Sequence, residues 1–237
     1  MLREIKKIKN LSKLGVMMLA SFSITSCLNN DDDNGVVVPE NAGYILFTNV
    51  SPGSTGLRLY ANNEVFNNNP LNYNQFFNYA PVEIGSKTLT VRSGNSSTDL
   101  DTISLNVELN KLYSVFAVNT PENIELLAYS DNPTAPSSQL KTKIRFIQLS
   151  HNTPSVKLAI EGIEGDLGTF NFRNASSFME IDRVNNKKLY LINSETQDTI
   201  FSKNVSFSGG SAYSVFSEGI FGSDDEDLDL DIQYLQY

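Results

Sequence analysis

Beyond residue 35 the apolar residues come in short runs of period two, separated by Gly, Asn, Pro and Ser. That spacing belongs to half-buried strands, and no window there sustains the period of a helix. Leu89 with Val91, then Ile103, Leu105, Val107 and Leu109, then Val115 alternating around Phe116, all read as strands. Near the end of the chain Leu228, Leu230, Ile232 and Tyr234 share one face while Asp227, Asp229, Asp231 and Gln233 share the other. This predicts a last strand with one wet, acidic face.

The strand pattern occurs twice. Ile45-Leu46-Phe47-Thr48-Asn49-Val50-Ser51 aligns without a gap on Ile144-Arg145-Phe146-Ile147-Gln148-Leu149-Ser150, and Leu57 and Leu59 fall on Val156 and Leu158. Asp101-Thr102-Ile103 is echoed by Asp198-Thr199-Ile200, and Tyr113-Ser114-Val115-Phe116 by Tyr213-Ser214-Val215-Phe216. Matches in one order at one spacing mean two copies of one module. The expected architecture is all-β, with two tandem immunoglobulin-like β-sandwich domains over residues 43–130 and 143–237, each of about seven strands. The segment 131–142, with Pro133, Pro136 and several turn formers, reads as the linker.

Ahead of the modules the pattern changes. Arg3, Lys6, Lys7, Lys9 and Lys13 precede an apolar run from Leu14 to Ile24, the layout of a secretory signal. As a helix that run rises only about 16 Å, too little to cross a bilayer core. It ends in Ile24-Thr25-Ser26-Cys27, which resembles a lipobox. The expectation is a signal peptide over residues 1–26, removed to leave Cys27 as the lipidated N-terminus, and a flexible acidic stalk over 27–42. Multiple acyl chains hold a protein to a membrane durably. Leu28 rather than Asp after the cysteine resembles lipoproteins sent to the outer membrane. The acids Asp31 to Asp33 fit either a solvated linker or a signal for display at the cell surface. The expected place is the outer membrane, facing the periplasm or the cell surface.

Charge and composition narrow the chemistry. The chain carries a formal charge of −9, and its first 26 residues hold five basic groups and one acidic group, so the remainder carries −13. Such a chain has no electrostatic reason to hold nucleic acid. With Cys27 the single cysteine, no disulfide within the chain is available, and stability must come from hydrophobic cores. The single histidine, His151, sits beside Asn152, Thr153 and Pro154 and reads as a turn residue with no nucleophile motif to serve. Gly53-Ser54-Thr55-Gly56 and Gly209-Gly210-Ser211 lack the spacing of a phosphate loop. The carboxylates from Asp224 to Asp231 invite calcium, but the glycine and the distant glutamate of a calcium loop are missing. No catalytic residue, no metal ligand and no cofactor is expected, and the protein is not read as an enzyme.

Asn62 to Tyr79 is the most suggestive stretch, combining nine amides with Phe66, Tyr73, Phe76, Phe77 and Tyr79. Amides donate and accept together, and aromatic faces offer apolar platforms, a combination suited to sugar rings or a protein partner. The corresponding second-copy stretch, Gly162 to Phe178, is poorer in both. Tyr73, Phe76, Asn72 and Asn74 are therefore the candidate binding residues, exposed and beyond what packing demands, against the plainer alternative of an Asn-rich loop whose aromatics fill the core.

The strand ending in Asn49-Val50-Ser51-Pro52, the Leu59-Tyr60 strand, the aromatic segment Tyr73 to Tyr79 and the Tyr-Ser-Val-Phe strand resemble the uncharacterised family called domain of unknown function 4397. The resemblance covers roughly residues 43–235 and is weaker in the second copy, where the motif becomes Gln148-Leu149-Ser150-His151. It implies a lipobox-bearing, extracytoplasmic sandwich protein, often with two copies, and no established catalytic residues. The reading is a membrane-anchored lipoprotein whose modules bind an envelope protein or glycan without catalysis. The alternative is a structural subunit resembling fimbrial or adhesin components.

Overall fold

Strands form where the sequence alternates, and the computed structural model, which describes residues 41–237 apart from 95 and 166, holds sixteen of them and no helix among the described residues. Cys27 and the leader and stalk around it lie outside the described residues. The first module contains β1 (Ala42–Asn49), β2 (Leu57–Ala61), β3 (Glu64–Val65), β4 (Gln75–Glu83), β5 (Gly85–Ser93), β6 (Asp99–Val107), β7 (Leu112–Val118) and β8 (Glu125–Ser130). The second contains β9 (Lys141–Gln148), β10 (Val156–Ile160), β11 (Thr169–Phe170), β12 (Met179–Asp182), β13 (Val184–Asn193), β14 (Thr199–Phe207), β15 (Ala212–Glu218) and β16 (Asp231–Gln236). Each module has one strand more than the alternation predicts, because the two-residue strands β3 and β11 are too short to show a period.

Both modules are immunoglobulin-like sandwiches of two four-stranded sheets, ordered β4-β1-β7-β8 over β3-β2-β5-β6 and β12-β9-β15-β16 over β11-β10-β13-β14. In each, the first strand runs parallel to the seventh, Tyr44 opposite Leu112 and Ala212 opposite Lys143, while the other pairings are antiparallel. Ile45, Phe47, Tyr113 and Val115 meet Leu57, Leu59, Leu89 and Val91 in the first core. Ile144, Phe146, Tyr213 and Val215 meet Leu158, Leu189, Leu191 and Phe207 in the second.

The repeated Tyr-Ser-Val-Phe strand has a physical role for every position. Tyr113 and Tyr213 point inward, and each hydroxyl accepts a backbone N–H from five residues upstream, Glu108 at 3.2 Å and Ser208 at 2.9 Å. Val115 and Val215 fill the two cores. Ser114, Phe116, Ser214 and Phe216 point the other way, and all four are buried. What buries them is the other module.

The outward faces of β4-β1-β7-β8 and β12-β9-β15-β16 pack on each other through Leu46, Val50, Phe116 and Val118 on one side and Ile147, Leu149, Phe216 and Leu235 on the other. The four sheets thus form a stack of four layers, and the middle strands β1, β7, β9 and β15 are buried on both faces. Phe116 meets its own counterpart Phe216 with ring centroids 5.2 Å apart. Equivalent residues touch only near the axis of a two-fold. Consistently, Tyr129 on β8 donates to the Arg173 carbonyl ahead of β12, while Tyr73 ahead of β4 approaches Asp231 on β16.

One end of this junction carries a buried polar network. Arg145, where the first copy has Leu46, pairs with Asp131 and donates to the Ser130 carbonyl at 2.6 Å and the Ser214 hydroxyl at 2.6 Å. Asp131 also accepts from Tyr79 at 2.6 Å and Ser114 at 2.5 Å. The segment 131–142 begins at this fully buried aspartate and ends inside β9, so the connection is anchored at both ends. Between them it is largely exposed, and it lies along the second module through Ser137, whose N–H and hydroxyl both donate to Glu180.

The last strand corrects an expectation. It starts at Asp231, not Asp227, and the acids before it form a turn in which Asp225 and Asp229 accept backbone N–H groups of Asp227 and Leu230. Short acidic side chains compete for nearby backbone donors and break the alternation before a ladder forms. Gly219 opens that turn at φ +84°, where a Cβ would lie 2.1 Å from the Asp229 carbonyl oxygen. The polar face of β16 is also less wet than its sequence implies, because Gln233 looks toward the first module beside Asn74 and Glu218.

Candidate functional site

The asparagines between residues 62 and 74 mostly replace backbone partners. Asn62 and Asn63, at φ +49° and +69°, form the two-residue turn between β2 and β3, a geometry that needs positive φ at both positions. Asn62 also accepts the Thr88 N–H at 2.9 Å. Buried Asn67 accepts from Leu59 N–H at 2.7 Å and donates to the carbonyls of Leu57 and Asn69, lacing the loop to β2. Asn72 accepts the Gly56 N–H at 3.0 Å, and Asn74 turns the chain at φ +64°. The excess of amides over the second copy is therefore in good part a way of holding this backbone in place.

The aromatic rings follow the same correction. Phe66 and Phe77 meet edge to face in the first core at 5.3 Å. Phe76 and Tyr79 are half-buried against the junction between the modules, and Tyr73 is half-buried beside Glu218 and Asp231. Phe76, expected to stand free, is thus covered by the second module. Tyr73 also has a counterpart: Asn74 N–H donates to the Asn49 carbonyl and Arg173 N–H to the Gln148 carbonyl, each at 2.8 Å, with both residues at positive φ. That superimposes Tyr73 on Phe172, which packs in the same junction. Sequence comparison misses this pair because the loops ahead of it differ between the copies.

What faces water is an edge of amides. Asn68, Asn69, Asn72, Asn74, Gln75 and Asn78 are all exposed along the loop into β4 and on β4 itself, the outermost strand of its sheet. Of the four expected binding residues the structure leaves Asn72 and Asn74 on the surface and turns Tyr73 and Phe76 partly inward.

At the end of this edge lies a group that sequence reasoning passed over. Glu218 closes β15 opposite Asp231 on β16 and is 1% exposed, and neither carboxyl oxygen has a hydrogen bond of normal geometry, the nearest donors being the Gln233 and Asn74 amides. Burial pushes its carboxyl up to about 8, and the negative charge of Asp231 adds to the shift. The nearby Gln233 and Asn74 amides and the Lys203 ammonium oppose it only in part. Lys203 is committed to Asp231, 2.9 Å from both carboxylate oxygens. Burial, then Glu218 and Asp231, hold the Tyr73 phenol well above its ordinary range. The one signal in the sequence is that Glu218 stands where the first copy has Val118.

Elsewhere the chemistry is sparse. His151 is half-buried in the turn after β9, and burial pulls its imidazole below the usual value. A shallow depression lined by Ser54, Thr55, Leu57, Ser93, Leu100 and Ile124 opens at one end of the first sandwich. Among the described residues no group of three or more His, Cys, Asp or Glu side chains is placed to hold a metal ion.

Residues 43–159 match the model of the domain of unknown function (DUF4397). No curated protein matches the chain. Among solved structures, the crystal structure of CBMbc, a family 26 module of Eubacterium rectale Amy13K in complex with maltoheptaose, aligns at 9% identity and a TM-score of 0.25, covering 81% of this chain and 96% of that one. A likeness at that score carries no weight for what this chain binds, and the sandwich assignment rests on its own strand order.

Proposed function

From a chain that belongs to the DUF4397 family through residues 43–159, we propose a membrane-anchored lipoprotein that holds two docked sandwiches out from the outer membrane and binds an envelope glycan, without catalysis, along the amide edge of its first module. The observation that carries this reading is the row of six exposed amides from Asn68 to Asn78 on a backbone fixed by buried ones. Asn68, Asn69 and Asn78 offer both a donor and an acceptor to sugar hydroxyls, while Asn72 and Gln75, whose carbonyl oxygens accept the Gly56 and Asn72 N–H groups, offer chiefly donors, and a pre-fixed backbone spares the ordering cost of binding. Because the rings nearby turn inward, recognition here is polar rather than by stacking.

Binding of the intact protein to a glycan array and to envelope extracts tests the reading. Asn68→Ala with Asn78→Ala removes amides for which no structural hydrogen bond of the side chain is seen. The pair should weaken glycan binding roughly tenfold, the worth of one or two hydrogen bonds, with stability changed by less than about 0.5 kcal/mol. Unchanged glycan binding would refute the site, and capture of a protein alone would move the reading to a protein partner. The anchor is tested separately: Cys27→Ala should abolish metabolic palmitate labelling, and label that persists would remove the lipid tether from the proposal.

A further inference from the structure

Among the described residues, Glu218 is an ionisable side chain buried at the junction with no counter-charge bonded to it. It is 1% exposed, neither oxygen has a hydrogen bond of normal geometry although the Gln233 and Asn74 amides lie beside it, and its counterpart in the first copy is the valine Val118, which packs in the apolar junction. A carboxylate buried without a partner costs several kcal/mol, whereas a carboxylic acid is tolerated there far better. The groups that face it leave it uncompensated. Tyr73 and Asn74, ahead of β4, bring a neutral phenol and an amide. From β16 come Asp231, of like charge, and the Gln233 amide. Lys203 on β14 is the only cation nearby among the described residues, and its ammonium is bound to Asp231 and to the Ile232 carbonyl, each at 2.9 Å.

We propose that Glu218 is a protonation switch on the docking of the two modules: with its proton the β4 side of the first stays packed on β16 of the second, and on losing it that side of the junction loosens. The opposite side, held by Arg145 and Asp131, has a counter-charge in place and acts as the hinge. Loosening frees Tyr73 and Phe76, the half-buried rings packed against this side. This inference is independent of what the amide edge binds.

The direction follows from proton linkage. The docked carboxyl titrates near 8 against an ordinary value of 4.5, so the docked state keeps a proton that a water-exposed Glu218 gives up. The contribution of Glu218 to docking is full below about 4.5, falls as pH rises between about 4.5 and about 8, and is lost above that window. Glu218→Gln keeps the shape and removes the charge, and Glu218→Val copies the first module. Amide hydrogen exchange of the intact protein, compared at about pH 5.5 and about pH 8.5 after correction for intrinsic rates, should show exchange at Gln75–Phe77 and Ile232–Gln233 speeding at least about tenfold at the higher pH, one unit of linkage out of the more than two that the interval up to about 8 spans. The same amides should change little in either variant. If the variants show the same acceleration as the natural protein, the switch is wrong. If neither variant folds, titration of the Glu218 carboxyl carbon by nuclear magnetic resonance decides: a midpoint well above the ordinary carboxylate range supports the switch, and a midpoint near 4.5 overturns it.

Discussion

Arg145 and Asp131 meet in the space between the two sandwiches, where their side chains are 5% and 0% exposed. The Ser114 and Tyr79 hydroxyls and the Ser130 carbonyl complete the pairing, and the guanidinium lies 4.9 Å from the centre of the Phe178 ring. Burial pushes the Asp131 carboxyl above its ordinary value, and the guanidinium and hydroxyls pull against it. Such a pair need not stabilise relative to apolar residues, but removing one partner strands the other. Arg145→Met alone should therefore lower the unfolding free energy by about 3–5 kcal/mol, and Arg145→Met with Asp131→Leu should recover much of it. Urea unfolding of the four variants of this cycle measures both, and a loss below about 1 kcal/mol for the single change would contradict the buried pair. The sequence hid this role because an arginine between Ile144 and Phe146 reads as a strand's wet face. Its counterpart Leu46 was the available hint, since an apolar residue at the same outward position means that something covers the face.

At the scale of strands, alternation locates most elements and assigns most of their inward residues correctly: Leu89 and Val91, Val107, and Val115 with Val215 are all buried, whereas Leu109, read as the next inward residue after Val107, lies beyond the end of β6 and is 49% exposed. It fails where a strand has no wet face. Leu46, Val50, Phe116 and Phe216 point away from their own cores and are buried all the same, the mark of a strand covered on both sides. It fails again at 224–230, where local hydrogen bonds to aspartates win. For the same reason the surplus of asparagines looked like a binding surface, although turn geometry and backbone capping account for Asn62, Asn63 and Asn67. The connection between the modules supplies a prediction at this scale. Asn132 to Leu140 is exposed or nearly so, and exposed connections are where proteases cut. Limited proteolysis should nick there first, yet the two fragments should elute together on size exclusion without denaturant, because the junction rather than the peptide holds them. Fragments that part on nicking would show that the linker alone joins them.

For the molecule as a whole, the repeat was legible and its consequence was not. Two copies of one module appear in the residues from Ile45 to Ser51 and from Ile144 to Ser150, but no periodicity tells whether copies hang as beads or dock. Docking depends on surfaces far apart in sequence, and it decides what the protein can display. With the outer faces packed about a two-fold through Phe116 and Phe216, the amide edge and the Glu218 junction sit on one docked unit. The measurement that bears most directly on this is differential scanning calorimetry of the intact protein beside Phe116→Asp with Phe216→Asp. The natural protein should melt in one transition whose van't Hoff and calorimetric enthalpies agree, and the paired aspartates, placed against each other in the apolar junction, should split it into two. Two separable transitions in the natural protein, unchanged by those substitutions, would contradict the docked stack.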